Sequence, residues 1–227
     1  MKIKIQTALA AWVLLLALSC KKETNSAQSS TISDENSTQQ SNIVSVTIGT
    51  QVWMKKNLTV TRYRNGDVIP QVKDSSQWSK LTTGAWCWYN NDSANGAVYG
   101  KLYNWYAIND PRGLAPAGWH IPSDSEWYVV SNFLGPGAGG KLKETGITHW
   151  FDPNVDATNS SGFTGLPGGY RSEIGQFCYI KYLGLFWTST GYNSSVAWYR
   201  RLLCYSNFLD YWRFPKQMGF SVRCIKN

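Results

Sequence analysis

Histidine is scarce in this sequence, and so are the ligand patterns of a metal site. Of 227 residues only His120 and His149 are histidines, and no pair of His or Cys residues has zinc-ligand spacing. No acidic loop has the pattern of an EF-hand. We therefore predict no metal and no cofactor. One alternative stays open, in which oxygen ligands of a single loop bind Ca²⁺: Asp152, Asn154, Asp156 and Asn159.

Motifs of common catalytic sites are also missing. No Gly-x-Ser-x-Gly segment is present, which argues against a serine nucleophile on a sharp turn. No glycine-rich turn follows a predicted strand and opens a helix, as nucleotide phosphates require. The glycine-rich segment 135–140 follows a predicted helix instead. The residues therefore give no indication of an enzyme.

The sequence lacks an apolar run long enough to span a bilayer, for which about 20 residues are needed. Its N-terminus has Lys2 and Lys4, then an apolar run over residues 8–18 and Ser19-Cys20. This order is typical of a secretory signal. Residues 17–20, Ala-Leu-Ser-Cys, resemble a bacterial lipobox, which implies acylation of Cys20 after removal of residues 1–19. We expect an outer-membrane lipoprotein on the surface or periplasmic face; ordinary secretion is the alternative.

Residues 20–42 predict a lipid-anchored, disordered tether. After Cys20 this segment has no aromatic residue, and its only apolar residues are Ala27 and Ile32. Such a composition cannot bury enough surface to offset chain entropy. The remaining residues, 43–227, have a length that suits one domain.

Charge gives little indication of a partner. The formal net charge is +8, and a basic surface could attract nucleic acid or anionic glycan. The lysines and arginines are scattered, however, with only Lys55-Lys56 and Arg200-Arg201 adjacent beyond the tether. We interpret them as a scattered, solvated surface and predict no nucleic-acid partner.

Four cysteines follow Cys20, namely Cys87, Cys178, Cys204 and Cys224. An even count in an oxidising compartment predicts disulfides, and four cysteines allow three pairings that the sequence does not resolve.

The clearest helix signal lies in residues 118–135. Pro122 keeps the preceding residue extended, and Ser123 with Glu126 forms a capping-box pattern. We interpret Asp124 and Glu126 as capping residues and not as a catalytic pair. The predicted helix spans 124–134 and ends at Gly135-Pro136-Gly137. Its apolar stripe is formed by Trp127, Val130, Phe133 and Leu134.

Strands are predicted on both sides of this helix. A hairpin is expected near the start, with strands over 44–48 and 52–60 joined at Gly49-Thr50. Asn65-Gly66 predicts another tight turn, within a loop-rich region over 64–98. Four later strands are expected to form the sheet on which the helix packs: FWTST (186–190), VAWYRRLL (196–203), FLDYWRF (208–214) and GFSVRCI (219–225).

Many segments in the same order resemble the Fibrobacter succinogenes major paralogous domain, over roughly residues 44–226. They are QVWMKKNL (51–58), CWYNND (87–92), YGKLYNWYAI (99–108), GWHIPSDSEW (118–127), GGKLKETG (139–146), GFTGLPGGYR (162–171), FWTST (186–190), AWYR (197–200) and GFSVRC (219–224). Ile121-Pro122, Glu126-Trp127 and the segment 219–224 are more distantly similar to formylglycine-generating enzymes and the C-type lectin-like fold. The resemblance implies an α+β fold with few helices, short antiparallel strands and long loops.

The resemblance also bears on the cysteines. The family often has a cysteine just before Pro-x-Gly-Trp-His, where this chain has Leu114-Ala115. Cys224 therefore lacks the partner that the resemblance implies; Cys204 or Cys178 could replace it, or the thiol stays free. Formylglycine-generating enzymes bind copper with a close cysteine pair, which this sequence does not have.

Aromatic and amide residues are plentiful, and they favour a binding module. Flat rings stack on the C–H faces of sugars, and Asn and Arg side chains hydrogen-bond to hydroxyls. Trp198 and Arg200 alternate in a predicted strand and so share a face. The candidate ligand-binding residues are Trp88, Tyr89, Asn90, Tyr192, Asn193, Trp198 and Arg200. We expect carbohydrate binding or adhesion through glycan or an envelope or host protein; an enzyme on the formylglycine-generating scaffold and a purely structural envelope protein are the alternatives.

Overall fold

Short strands and short helices alternate along residues 43–227, the part of the chain that the computed structural model describes. The predicted signal peptide, Cys20 and the tether lie outside the described residues. No helix within residues 43–227 is long and apolar enough to cross a membrane. The mixture of helices and antiparallel strands confirms the α+β class.

Most strands are only two to four residues long, and three are longer. In chain order they are β1 (Ser45–Ile48), β2 (Gln51–Met54), β3 (Trp86–Cys87), β4 (Leu102–Tyr103), β5 (Trp119–His120), β6 (Tyr170–Arg171), β7 (Phe177–Cys178), β8 (Leu183–Gly191), β9 (Val196–Leu203), β10 (Asp210–Pro215) and β11 (Ile225–Lys226).

The helices are short as well, and a single 3₁₀ turn at Tyr89–Asn91 accompanies them. They are α1 (Ser75–Ser79), α2 (Ser93–Tyr99), α3 (Trp105–Ile108), α4 (Asp124–Leu134) and α5 (Ala138–Leu142).

Two sheets organise these elements. One has the order β1-β2-β11-β5, and the other has the order β10-β9-β8; two further strand pairs, β3-β4 and β6-β7, flank them. Residues 219–221 connect the β3-β4 pair to the three-stranded sheet, because Phe220 bridges to Tyr103 of β4 and Ser221 bridges to Phe186 of β8. The predicted strand over 219–225 is therefore mostly a series of isolated bridges, and only its end belongs to β11.

The predicted helix is confirmed as α4, with both halves of the capping box formed by Ser123 and Glu126. Gly135 ends it with a φ of 68°. Trp127 and Val130 are buried in the same core cluster as Phe186 of the three-stranded sheet, and the ring of Trp127 packs on that of Phe186. Phe133 was wrongly placed in the apolar stripe: it is 63% exposed. Six residues after Trp127 correspond to about 240° of helix rotation, which turns the ring away from the core.

Both predicted turns are confirmed. Strands β1 and β2 pair antiparallel around Gly49, although the second strand ends at Met54 and not at residue 60. Arg62 and Val68 form an antiparallel bridge around Gly66. In the region over 64–98, which is mostly loop as predicted, the sequence analysis missed helices α1 and α2. Each begins at an aspartate whose carboxylate caps it, Asp74 and Asp92.

Several basic residues lie inside the protein, which corrects the interpretation of a solvated basic surface. Five of them are buried: Lys101, Lys143, Arg171, Arg200 and Arg223. Lys143, Arg171 and Arg223 form no salt bridge with any residue of 43–227. Burying a charge is costly unless hydrogen bonds compensate, so their acceptors must lie in the protein itself.

Those acceptors are mostly backbone carbonyls of loops. Nζ of Lys143 donates to three carbonyl oxygens, each at 2.9 Å: those of Val155, Leu203 and Ser206. Arg171 donates to carbonyls of Gly175, Val72 and Lys73. Arg223 donates to carbonyls of Met54, Phe163 and Thr164 and to Oδ1 of Asn57. Each cation also lies near an aromatic ring: Trp150, Trp78 and Phe163 respectively.

Candidate functional site

The two faces of the β10-β9-β8 sheet differ in what covers them. On one face Tyr199 is fully buried, stacked on Phe214 at 5.3 Å and packed beside Trp187. On the other face α4 covers Phe186 and reaches only as far as Arg200. The part of this second face beyond the N-terminus of α4 is open.

Residues from two strands and a turn form that open part. The antiparallel register places Trp198 opposite Arg213 and Arg200 opposite Tyr211, and residues opposite each other share a face. Tyr192, from the turn after β8, meets Trp198 edge to face with ring centroids 5.7 Å apart. We call this the aromatic–arginine surface: Tyr192, Trp198, Arg200, Tyr211 and Arg213.

Its rings are held at fixed angles and are partly exposed. The ring planes of Tyr192 and Trp198 are at 87°, and those of Trp198 and Tyr211 are at 49° with centroids 5.9 Å apart. Tyr192 is 52% and Tyr211 57% exposed, while Trp198 is partly buried between them. The surface therefore offers two accessible aromatic rings, Tyr211 on β10 and Tyr192 in the turn beside the sheet.

Arg213 lies in the angle between two of these rings. Its Cζ is 4.2 Å from the ring centroid of Tyr192 and 5.1 Å from that of Trp198, which are cation–π distances. The sequence analysis missed Arg213 and Tyr211. A strand was predicted over 208–214, but only the register with β9 shows which residues meet.

Arg200, predicted to bind ligand, has a structural role in the folded chain. It is 3% exposed, and its Nη2 lies 2.6 Å from Oδ1 and 2.9 Å from the carbonyl oxygen of Asp124. Its Cζ lies 5.0 Å from the ring of Tyr211. Arg200 thereby joins β9 to the first turn of α4 and supports Tyr211 from below.

Asn193 shapes the turn that presents Tyr192. Its Oδ1 accepts from the backbone N–H groups of Ser195 and Val196, as in an Asx turn. Its Nδ2 has no hydrogen-bond acceptor within residues 43–227, and the side chain is exposed. The amide N–H groups of Asn193 are therefore free for a ligand.

The other predicted group, Trp88 to Asn90, lies apart from this surface. Trp88 packs against Trp86 with centroids 5.3 Å apart, and Tyr89 is buried against Phe177. Asn90 is exposed, with a φ of 54°. Among the ring contacts of the described residues, none joins this group to Tyr192 or Trp198. The structure thus separates the seven candidate residues into two places.

Two concave regions lie elsewhere on the surface. One, of about 440 Å³, is lined by polar and apolar residues including Val44, Lys55, Lys56 and Val98. The other, of about 270 Å³, is lined by residues including Trp105, Asp110 and Lys216. Nζ of Lys216 donates to the carbonyl of Ser194, so this second concavity adjoins the turn after β8.

The four cysteines are free thiols, contrary to the predicted disulfides. They lie in different surroundings, with Cys224, Cys204 and Cys87 each in a separate core cluster. Burial raises the pKa of Cys87 to about 12 and the pKa of Cys224 to about 12. Since the thiolate is the reactive form, these two thiols are poor nucleophiles.

Three of the four side chains considered for Ca²⁺ form hydrogen bonds within the protein, although Oδ1 of Asn154 is buried without a partner in residues 43–227. Asn154 Nδ2 donates to the carbonyls of Glu144 and Gly146. Oδ2 of Asp156 accepts from Asn207, and Oδ1 of Asn159 accepts from the N–H of Thr164. In residues 43–227 no group of three or more His, Cys, Asp or Glu side chains is placed to bind a metal ion.

A comparison with protein families gives one match. The family model of the Fibrobacter succinogenes major domain matches residues 46–226. No curated protein and no solved structure matches the chain. Because the match covers well over half of the chain, this protein belongs to the Fibrobacter succinogenes major domain family.

Proposed function

We propose that this protein is an exported, lipid-anchored binding module of the cell envelope, and that it binds glycan through the aromatic–arginine surface. The observation that carries the proposal is the placement of Tyr192 and Tyr211, each more than half exposed, on either side of Trp198. Two aromatic rings on paired strands and one from the adjoining turn form an apolar platform whose edges are polar.

Such a platform suits a sugar ring. Aromatic side chains combine a large apolar face with a polar group at the edge, and a pyranose has C–H faces and hydroxyls. Nδ2 of Asn193 adds free donors beside Tyr192. Trp198 and Tyr211 lie on paired strands, and sites on strands keep their geometry better than sites on loops, so this part of the platform needs little reorganisation when ligand binds.

A location in the cell envelope and a C-type lectin-like fold are also part of this proposal. The lipobox-like segment and Cys20 support a lipid anchor, with a tether that places the domain on the surface or periplasmic face. The short antiparallel strands and long loops are in keeping with a C-type lectin-like fold. Ligand sites commonly lie on the loops of a rigid scaffold, as Tyr192 and Asn193 do here.

The buried thiols favour binding over the enzyme alternative. An enzyme of the formylglycine-generating kind uses a close pair of reactive cysteines, whereas Cys204 and Cys224 lie in different core clusters. Asp124, the carboxylate that contacts Arg200 of this surface, is engaged in that ion pair. We therefore assign the surface to recognition.

The test is binding of the purified protein to a broad panel of microbial and host glycans, with and without Ca²⁺. Saturable binding to one class, lost in Tyr211→Ala and Trp198→Ala, is the expected result. Trp88→Ala tests the second predicted group. The matched control is Tyr205→Ala, a 63% exposed tyrosine two residues beyond the C-terminal end of β9.

Each outcome decides something. Loss in Tyr211→Ala with full binding in Tyr205→Ala locates the site on the platform. Loss of glycan binding in Trp88→Ala alone would place the site at Trp88 to Asn90 instead. If no glycan binds while a protein partner from the envelope does, the glycan proposal is wrong and the module recognises protein.

A further inference from the structure

One arginine differs from all the others in the described chain. Seven of the eight arginines in residues 43–227 donate a hydrogen bond to a protein acceptor: Arg62, Arg64, Arg112, Arg171, Arg200, Arg201 and Arg223. Arg213 donates to no acceptor in that part of the chain, and no carboxylate there lies within salt-bridge distance of it. Its five N–H groups are all unused by the protein.

The guanidinium is nevertheless fixed in place. It packs 4.2 Å from the ring of Tyr192 and 5.1 Å from the ring of Trp198, and the side chain is partly buried. Packing on rings uses the flat face of a guanidinium and leaves its edge, where the N–H groups lie, without partners. Arg213 is thus positioned but not neutralised.

The neighbouring charges do not neutralise it either. Arg200, on the adjacent strand, is already paired with Asp124. Lys216, three residues after Arg213, donates from its Nζ to the carbonyl of Ser194 and adds a second positive charge near the same turn. The open face around Tyr192 and Trp198 is therefore positively charged.

We infer that the ligand of the aromatic–arginine surface is an anionic saccharide whose carboxylate or sulfate group binds the guanidinium of Arg213 while its ring stacks on the exposed tyrosines. This inference rests on the proposed function and specifies its ligand class. A planar guanidinium matches the oxygen pairs of carboxylates and sulfates in a bidentate geometry. The accessible rings beside it supply the stacking face that a sugar needs.

The experiment compares three sets of oligosaccharides of equal length by calorimetry on the purified protein: uronate-containing, sulfated, and the same sugars after carboxyl reduction or desulfation. We expect the charged sugars to bind at least tenfold more tightly than their neutral counterparts, since a charge-assisted hydrogen bond is involved. Preference for uronate or for sulfate identifies the anionic group. Added salt weakens the charged complexes more than any neutral one.

Variants separate this inference from the proposal on which it rests. Arg213→Gln is expected to lower affinity for the charged sugar about tenfold or more and affinity for the neutral sugar much less. Arg213→Lys keeps the charge but loses the bidentate geometry, so its affinity for the charged sugar should lie between those of the parent and Arg213→Gln. The control Lys226→Gln removes one exposed positive charge elsewhere and should bind like the parent. Thermal unfolding checks that every variant is folded.

Equal binding of charged and neutral sugars, unchanged in Arg213→Gln but lost in Tyr211→Ala, overturns the anionic ligand and leaves the glycan-binding proposal standing. No binding of any sugar overturns both. Saturable binding of an oligoglutamate peptide, lost in Arg213→Gln, in a protein that binds no sugar assigns the surface to acidic protein segments and overturns the saccharide.

Discussion

Nε2 of His120 and Oε1 of Glu126 lie 2.8 Å apart. On the other side of the imidazole, Nδ1 lies 2.8 Å from Oδ1 of Asn227. Oε2 of Glu126 meanwhile accepts from the N–H of Ser123 at 2.7 Å. One imidazole and one carboxylate thus connect β5, the start of α4 and Asn227, and both ring nitrogens of His120 have protein partners.

Removing the cap should weaken the fold by a modest and measurable amount. In Ser123→Ala the N–H of Glu126 loses its acceptor, and we expect a loss of about 1 kcal/mol in the free energy of unfolding. Urea denaturation measures it. Asn132→Ala, at an exposed position of the same helix, should change stability by less than about 0.5 kcal/mol. Equal effects of the two substitutions would show that the cap contributes nothing.

Glu126 should make stability depend on pH in the acid range. Partial burial alone would raise the pKa of Glu126, but hydrogen bonds from Ser123 and the contact with His120 lower it below its ordinary value of 4.5. The unfolded state therefore takes up the proton first as pH falls, so the contribution is fully present above pH 4.5 and is lost below it.

The measurement compares the parent with Glu126→Gln between pH 3 and 7. The parent should be more stable at pH 6, and the two should converge as pH falls through the folded pKa. Glu173→Gln, an exposed carboxylate with no hydrogen bond within the described chain, should follow the parent throughout. A difference between parent and Glu126→Gln that persists unchanged at pH 3 would contradict the prediction.

Lys143 should make stability depend on pH in the alkaline range, and here too stability should rise as pH rises. Burial lowers the pKa of Lys143 from 10.5 to about 8. Between these two values the unfolded state holds a proton that the folded state has released, so the free energy of unfolding rises with pH in this window. Below pH 8 the contribution is constant.

Lys143→Met removes both the charge and the donor. We expect a loss of about 1 to 3 kcal/mol at pH 7, because three buried carbonyls lose their hydrogen bond, and a larger loss at pH 9 and 10. Urea denaturation at the three pH values checks this, with Lys181→Met, an exposed lysine, as the control. A loss that shrinks as pH rises would mean that burial does not lower the pKa of Lys143.

The free thiols should differ sharply in reactivity. Cys178 is partly exposed, whereas Cys87, Cys204 and Cys224 are buried. A thiol reagent such as DTNB should therefore modify Cys178 rapidly in the folded protein and the other three only after unfolding. Cys178→Ser should remove the fast phase. If unfolding in denaturant released no further thiols, the cysteines would be paired, as their even number first suggested.

The sequence was informative where local chemistry decides the outcome. Ser123, Glu126 and Gly135 define α4 through atoms within a few residues of one another, and they could be read directly. Phe133 was wrongly predicted to be buried because, at the edge of an apolar helix stripe, burial depends on which other elements pack against the helix. Part of the aromatic–arginine surface was predicted, because Tyr192 and Trp198 lie in one hairpin. Arg213 was not predicted, because it contacts them through a strand register that no local sequence pattern specifies.

The buried cations were missed for a similar reason. Lys143 and Arg223 look like ordinary surface residues in the sequence, since their acceptors are carbonyls far away in the chain. A lysine surrounded by backbone oxygens has no partner residue that a sequence pattern could show. Burial of this kind becomes visible only when the loops are folded around it.

Anchoring through main-chain oxygens has a consequence for how the loops can vary. A carbonyl oxygen is present at every residue, whatever its side chain, so Val155, Leu203 and Ser206 contribute to the lysine site by position and not by identity. Many substitutions at these positions would preserve the acceptor atom. Loops fixed in this way can acquire new side chains, and with them new binding properties, while the buried cation holds their backbone in the same conformation.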